Sequence, residues 1–138
     1  GDKVSKSTGG IYTISELEKI GYEPLHFRYL CLQTRYGKQL IFSLESLDAA
    51  KNAYEKIKRK IIELKKEKHK GNADAKEYEK LFLKAINDDL NMPQALDVFW
   101  KVLDDRDFDV KSKLKLLGKF DEILGLGILE MKEENVKI

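Results

Sequence analysis

The chain has one cysteine, two prolines and one tryptophan among 138 residues. A single cysteine cannot close an internal disulfide, which removes the small disulfide-stapled class. Uninterrupted apolar runs extend only a few residues, far short of the roughly 20 that cross a bilayer. No basic-then-apolar opening of the secretory type is present. There is no Gly/Ser-rich linker between compact units and no internal repeat. Strong charge of one sign is also lacking: the formal net charge is +2. Arginine is scarce, 4 residues against 22 lysines. What is present is enough to fold. A hydrophobic fraction of 42% excludes a wholly disordered chain, and a chain of this size buries roughly 68–70% of its unfolded surface. One domain, or a domain with a short attached piece, is expected in a soluble, intracellular setting. The chain opens Gly1-Asp2 without an initiator Met, so the expectation is that a segment precedes it or that the first residues are not native.

The near-neutral total hides an uneven distribution. Residues 51–70 hold nine Lys or Arg against three Glu, a local +6, so the remainder is near −4. Much of that acid follows Asp88. Lysine contacts phosphate as a point charge, whereas arginine offers a bidentate fork. A lysine stripe is therefore suited to gripping a nucleic-acid backbone more than to reading bases. The plain alternative for such a helix is a solvated face.

Periodicity predicts an all-α chain. Residues 1–10 read as a polar, basic, glycine-ended loop. Thr13 and Glu16 have capping-box spacing, so a short helix is expected from Ile14 to Ile20, stopped by Gly21. Pro24 opens a second helix, with Leu25, Tyr29 and Leu32 on one face, ending near Thr34. Residues 35–38 read as a turn and 39–42 as extended chain. Ser43 caps the longest helix, expected to reach Lys70. Leu44, Leu47, Ala50, Tyr54, Ile57, Ile61 and Leu64 form its apolar stripe. Further helices are expected over 73–89 (Tyr78, Phe82, Ala85, Ile86), from Pro93 (Ala95, Leu96, Phe99, Trp100, Leu103), and from Val110 (Leu114, Leu117, Phe120, Ile123, Leu124). Gly125 ends the last, and 131–138 reads as a frayed tail. Short connections favour an up-and-down bundle.

The opening carries the densest chemistry. Lys3-Val4-Ser5-Lys6-Ser7 places two ammonium groups and two hydroxyls in five residues, followed by Thr8-Gly9-Gly10. Lysines supply mobile charge, hydroxyls hydrogen bonds, and glycines close backbone approach. That set suits a polyphosphate whose charge shifts during reaction; the bland reading is a loose terminal arm. Asp88 and Asp89 look like a catalytic carboxylate pair, but they precede a helix start. Asn91 as cap, with acids favoured at the positive helix end, explains them more simply. Cys31 is expected to be a buried small apolar residue. His26 and His69 are expected to be surface or partly packed side chains, and Trp100 core before base-stacking platform.

Lys3–Ser7 resembles the Lys-Met-Ser-Lys-Ser signature of class I aminoacyl-tRNA synthetases at four of five positions, with Val4 for Met. Residues 21–30, GYEPLHFRYL, are similar to the stem-contact approach of cysteinyl-tRNA synthetases, where an Asp-Pro pair precedes an Arg-Tyr pair. Residues 36–43, YGKQLIFS, resemble the next segment. Asn87–Leu96 resembles the Asp-Asp-Leu-Asn-Thr-Pro-Gln-Ala-Leu run, and Ile123-Leu124-Gly125-Leu126 fits the end of the bundle. These matches fall in order along almost the whole chain. Glu23 departs from the usual Asp, and Gly10 from an Asn that often follows the loop.

The resemblance implies a C-terminal part of the family's enzyme: activation loop and stem-contact segment over 1–42, anticodon-binding helical bundle over 43–130, tail over 131–138. It implies that Lys6 stabilises charge on ATP phosphates as pyrophosphate leaves, that Lys3 helps bind the same anion, and that Ser5 and Ser7 hold the loop. It implies tRNA(Cys) as partner, with Arg35, Lys38, Lys58 and Arg59 as candidate contacts. L-cysteine and ATP with Mg2+ enter only with the nucleotide-binding domain. That domain, a His-Ile-Gly-His segment and a zinc site precede the loop in the family and are not among these residues; no metal site is expected here. A cytoplasmic, monomeric parent and no membrane partner are implied, with this segment alone inactive. The rivals are the related cysteine ligase of mycothiol synthesis and a non-catalytic helical RNA-binding or docking module.

Overall fold

A computed structural model describes residues 3–5, 11–35 and 42–133, with only the backbone at 3–5, 11, 12 and 14. Among these residues are two short strands, six α-helices and one 3-10 turn: β1 (Lys3–Ser5), β2 (Ile11–Thr13), α1 (Ile14–Lys19), α2 (Pro24–Leu32), α3 (Leu44–Lys66), α4 (Ala75–Asn87), α5 (Met92–Asp104), α6 (Val110–Leu124) and the turn Ile128–Glu130. The all-α expectation holds for the body of the chain. The antiparallel β1–β2 pair, with Lys3 opposite Thr13 and Ser5 opposite Ile11, is an addition to it. Three-residue strands are too short to show a period of two, so nothing in the pattern announced them.

The helix starts follow from their caps. Thr13 Oγ1 accepts the Glu16 amide at 3.1 Å, Ser43 Oγ that of Ser46 at 3.0 Å, and Asn91 Oδ1 that of Gln94 at 3.2 Å. α2 opens on Glu23 and Pro24, with the Glu23 amide donating to Nδ1 of His26 at 2.9 Å. This corrects the expectation for His26. It is 1% exposed, its Nε2 lies 3.3 Å from Glu55, and the rings of Tyr22 and Tyr54 stand edge-on to it. One local bond and the tertiary contacts together make a buried site for a side chain that reads as polar. Cys31 is corrected in the other direction: it is exposed, because Tyr29, Leu30 and Leu32 take the inward face of α2. In α6 the buried seam is Val110, Lys113, Leu117, Phe120 and Leu124, spaced 3, 4, 3, 4; Ile123 falls beside it and is exposed.

One hydrophobic cluster runs from Leu17 to Met131. α4, α5 and α6 pack on one another, α3 lies against α2 and α6, and α2 also meets α5. Phe82 and Phe120 stack with centroids 4.0 Å apart, joining α4 to α6. Arg28 ties the N-terminal helices to the far end of the chain: its Nε donates to the Leu124 carbonyl at 2.8 Å and its Nη2 to that of Ile123 at 3.2 Å. These are carbonyls that the end of α6 leaves without helical partners. Gly125, at φ 69°, turns the chain out of α6. Asp121 then accepts the amides of Leu126 at 2.7 Å and Ile128 at 3.1 Å, burying both apolar side chains.

α3 ends at Lys66, four residues before the expected stop, since no apolar residue follows Leu64 to hold the helix on the core. Residues 69–73 instead lie along the 105–110 connector. Ala73 N–H donates to Asp107 O at 2.7 Å and Val110 N–H to His69 O at 3.0 Å. Gly71 sits at the closest approach: a Cβ there would fall 2.3 Å from the carbonyl carbon and oxygen of Asp107. Gly71→Ala is expected to cost about 1–3 kcal/mol by forcing these backbones apart, read as a lowered thermal midpoint. An unchanged midpoint would mean that this crossing is not part of the folded state.

Candidate nucleic-acid interface

Lys3 and Ser5 lie in β1 as backbone, and Lys6, Ser7 and Lys38 lie outside the described residues. The remaining three candidates fall at two places in the fold. Arg35 follows α2, and its Nη2 pairs with Asp88 Oδ1 at 2.9 Å. Lys58 and Arg59 stand on α3, Lys58 half-buried and Arg59 exposed. Asp88, in turn, accepts from Asn91 Nδ2 at 3.3 Å. Asp88 therefore braces the α4–α5 turn, in keeping with the structural reading of that acidic pair.

The lysine run of α3 divides by position on the helix. Lys51 donates to the Gly21 carbonyl at 2.9 Å and lies 5.4 Å from the Tyr22 ring centroid. Lys60 pairs with Asp104, and Lys66 with Glu133. Lys65 donates to the carbonyls of Leu129 at 3.0 Å and Met131 at 2.6 Å. Arg59, opposite the buried stripe, has no such partner among the described residues.

Trp100 was expected in the core. It is half-buried at the α3–α5 junction: its Nε1 donates to the Tyr29 hydroxyl at 3.0 Å, and Lys56 and Lys60 Nζ each lie 5.9 Å from its ring centroid. Burial raises the Tyr29 pKa, with the bond from Trp100 opposing it. Across the ring, Tyr78 donates to Asp105 at 2.7 Å. Burial first, then that carboxylate, push Tyr78 up to about 12, while the same bond holds Asp105 below its usual range. The result is a face of mixed charge: two ammonium groups lie over the Trp100 ring, Lys60 is paired with Asp104, and Asp97 and Asp105 stand beside it, which leaves Lys56 as the cation there best able to meet a phosphate. Sequence spacing contained the signal: Lys56 and Lys60 are one turn apart, but nothing local says that Trp100 stands beside them.

Among the described residues no group of three or more His, Cys, Asp or Glu is placed to hold a metal ion. Both ring nitrogens of His26 are engaged and its ring is buried whereas Cys31 is exposed, so the pair does not form a zinc donor set. No described helix is long and apolar enough to cross a membrane.

No protein-family model matches the chain. Curated relatives do, and they are aminoacyl-tRNA synthetases. One is named cysteine–tRNA ligase, from Borreliella burgdorferi (strain ZS7): 36% identical, over 99% of this chain and 31% of that protein. The cysteine–tRNA ligase of Borrelia turicatae is 37% identical over 94% of this chain and 30% of its own length. Cysteine–tRNA ligase 1 of Burkholderia lata is 36% identical over 99% and 28%. Over nearly its whole length the chain is thus a homologue of part of the cysteine–tRNA ligases, and it spans about three tenths of the length of the curated relatives it matches.

The division of cations is open to test. Lys65→Ala removes a charged donor from two carbonyls and should cost about 1 kcal/mol. Arg59→Ala should stay within about 0.5 kcal/mol of the parent chain. Urea midpoints of the two variants measure this, and equal losses would show that the structural and solvent-facing cations are not distinct.

Proposed function

We propose that this chain is the C-terminal part of a cysteine–tRNA ligase, which joins L-cysteine to tRNA(Cys) through cysteinyl-adenylate at the expense of ATP. The ordered similarity over 99% of the chain, to ligases about three times its length, carries this reading. Residues 1–42 supply the activation loop and stem-contact segment, residues 43–130 the tRNA-binding bundle, and 131–138 a tail. In the loop, the Lys6 ammonium stabilises charge gathering on the phosphates as pyrophosphate departs, Lys3 holds the same anion, and Ser5 and Ser7 fix the loop. ATP, with Mg2+, is a substrate of the whole enzyme. The family's zinc is held outside these residues. On this reading the protein works in the cytoplasm beside translation.

For the bundle, the supporting feature is the cationic face of α3 and its neighbours. Arg59 and Lys58 contact phosphates, with Arg35 and Lys38 nearer the acceptor stem. The Arg35–Asp88 pair is no obstacle, because an exposed ion pair holds its partners by roughly 0–1 kcal/mol and can be exchanged for phosphate.

Two outcomes follow. The isolated chain should show no cysteine-dependent ATP–pyrophosphate exchange. In a ligase completed with the nucleotide-binding part of a relative, Lys6→Ala should lower turnover about 100–1,000-fold with little change in tRNA affinity; unchanged turnover would remove the loop from catalysis. Separately, titration of the chain with labelled tRNA(Cys) across a salt series should give a log–log slope of a few units. Arg59→Ala should reduce that slope by about one. A slope near zero would rule out a phosphate-gripping bundle.

A further inference from the structure

A cavity of about 890 Å3 opens where the end of α3, the turn after it, the end of α5 and the start of α6 converge. Its floor is apolar, made by Leu64, Leu103, Phe108 and Val110. At its wall is Lys113, which occupies a seam position of α6 where the pattern calls for an apolar residue, and is 5% exposed. The ammonium donates to the Leu103 carbonyl at 3.0 Å, one of the orphan carbonyls ending α5. That uses one of its three N–H groups. No second hydrogen-bond acceptor meets it among the described residues. Burial works against the charged form of Lys113, and Asp105, Glu67 and Asp104 work for it. Glu63 and Glu67 line the same cavity, and Lys68 and Arg106 stand exposed on its rim.

This combination is specific in what it can accept. The ligand must present an acceptor to an ammonium, an N–H to a carboxylate, a flat apolar body to the floor, and negative charge to the rim. We propose that the cavity receives the base of an unstacked RNA nucleotide, with a ring carbonyl on Lys113, the adjacent ring N–H on Glu63 or Glu67, and the phosphate on Lys68 and Arg106. A carbonyl beside a ring N–H is found in guanine and uracil. Adenine has no carbonyl, and the carbonyl of cytosine adjoins an acceptor nitrogen that would face the carboxylates. Unstacked bases read on their edges are the usual target of sequence-specific RNA recognition. The inference rests on the RNA-binding reading above and adds to it a site and a base class.

The test titrates the chain with GMP, UMP, AMP, CMP and inorganic phosphate, following the amide signals of Ala73 and Val110. Saturable binding of GMP or UMP about tenfold tighter than AMP and CMP is expected, a ratio within reach of one paired edge. Lys113→Met should abolish the preference. Because that change could also disturb α6, Glu67→Gln at the exposed end of α3 is the second variant, and it should reduce the preference without altering the fold. Equal binding of all four nucleotides, competition by phosphate alone, or no saturation would overturn the proposal. Running tRNA(Cys) binding on the same samples separates the two ideas: intact tRNA binding without base preference rejects the cavity alone, and loss of both rejects the RNA reading.

Discussion

The structure depends on the buried stripe of α3. Leu47, Ala50, Tyr54, Ile57, Ile61 and Leu64 are all buried within a 23-residue helix that is otherwise dominated by charge. A helix of this composition has little to hold it except one apolar face, so that face fixes its rotation. With the rotation fixed, every cation takes a defined place around the cylinder. Lys51, Lys60 and Lys65 fall at the margins of the stripe, where they reach carbonyls or carboxylates of neighbouring elements. Arg59 falls about 180° from the stripe and can only face solvent. The basic run is thus two populations, one that closes the fold and one that is exposed to a partner, and the apolar residues between them make the separation.

The same helix makes the far end of the bundle. Its apolar face stops at Leu64, so the chain beyond Lys66 is not held to the core as helix and lies instead along the 105–110 connector. Gly71 permits that approach, and the cavity with Lys113 lies beside it. A longer apolar stripe would extend α3 and close the space. The early end of one helix and the burial of a lysine in another are parts of one arrangement.

Most of the architecture was legible because its signals are local. Thr13, Ser43 and Asn91 cap the helices they were expected to cap, the α3 stripe is buried as spaced, and Gly125 ends α6. The misreadings have two causes. His26 is buried because Glu55 and Tyr54, distant in sequence, come to it. Cys31 is exposed because Tyr29, Leu30 and Leu32, its neighbours on α2, take the core face. The burial of Lys113, on which the spacing gave no reading, likewise needs α5 to bring the Leu103 carbonyl to it. The candidate site was less legible. The loop motif at Lys3–Ser7 was found through family resemblance, whereas the Trp100 face arises where Lys56 and Lys60 of α3 reach across to α5, which no spacing encodes.

The turn between α4 and α5 shows how a resemblance can mark structure before function. Asp89 and Leu90 adopt φ values of 48° and 53°, conformations disfavoured for side chains with a Cβ and especially for a bulky one. Such a turn persists only when its surroundings over-determine it. Here they do. Arg35 holds Asp88 from one side, Asn91 reaches back to Asp88 while capping α5, and the amide of Asn91 returns to the Ala85 carbonyl at 3.0 Å. The segment Asn87–Leu96, one of those that carry the resemblance to the ligases, is therefore explained as a strained reversal with its braces. Its carboxylates need no chemical role. The brace from Arg35 also ties the chain that follows α2 to this turn, so the reversal is held from outside α4 and α5 as well as from within them.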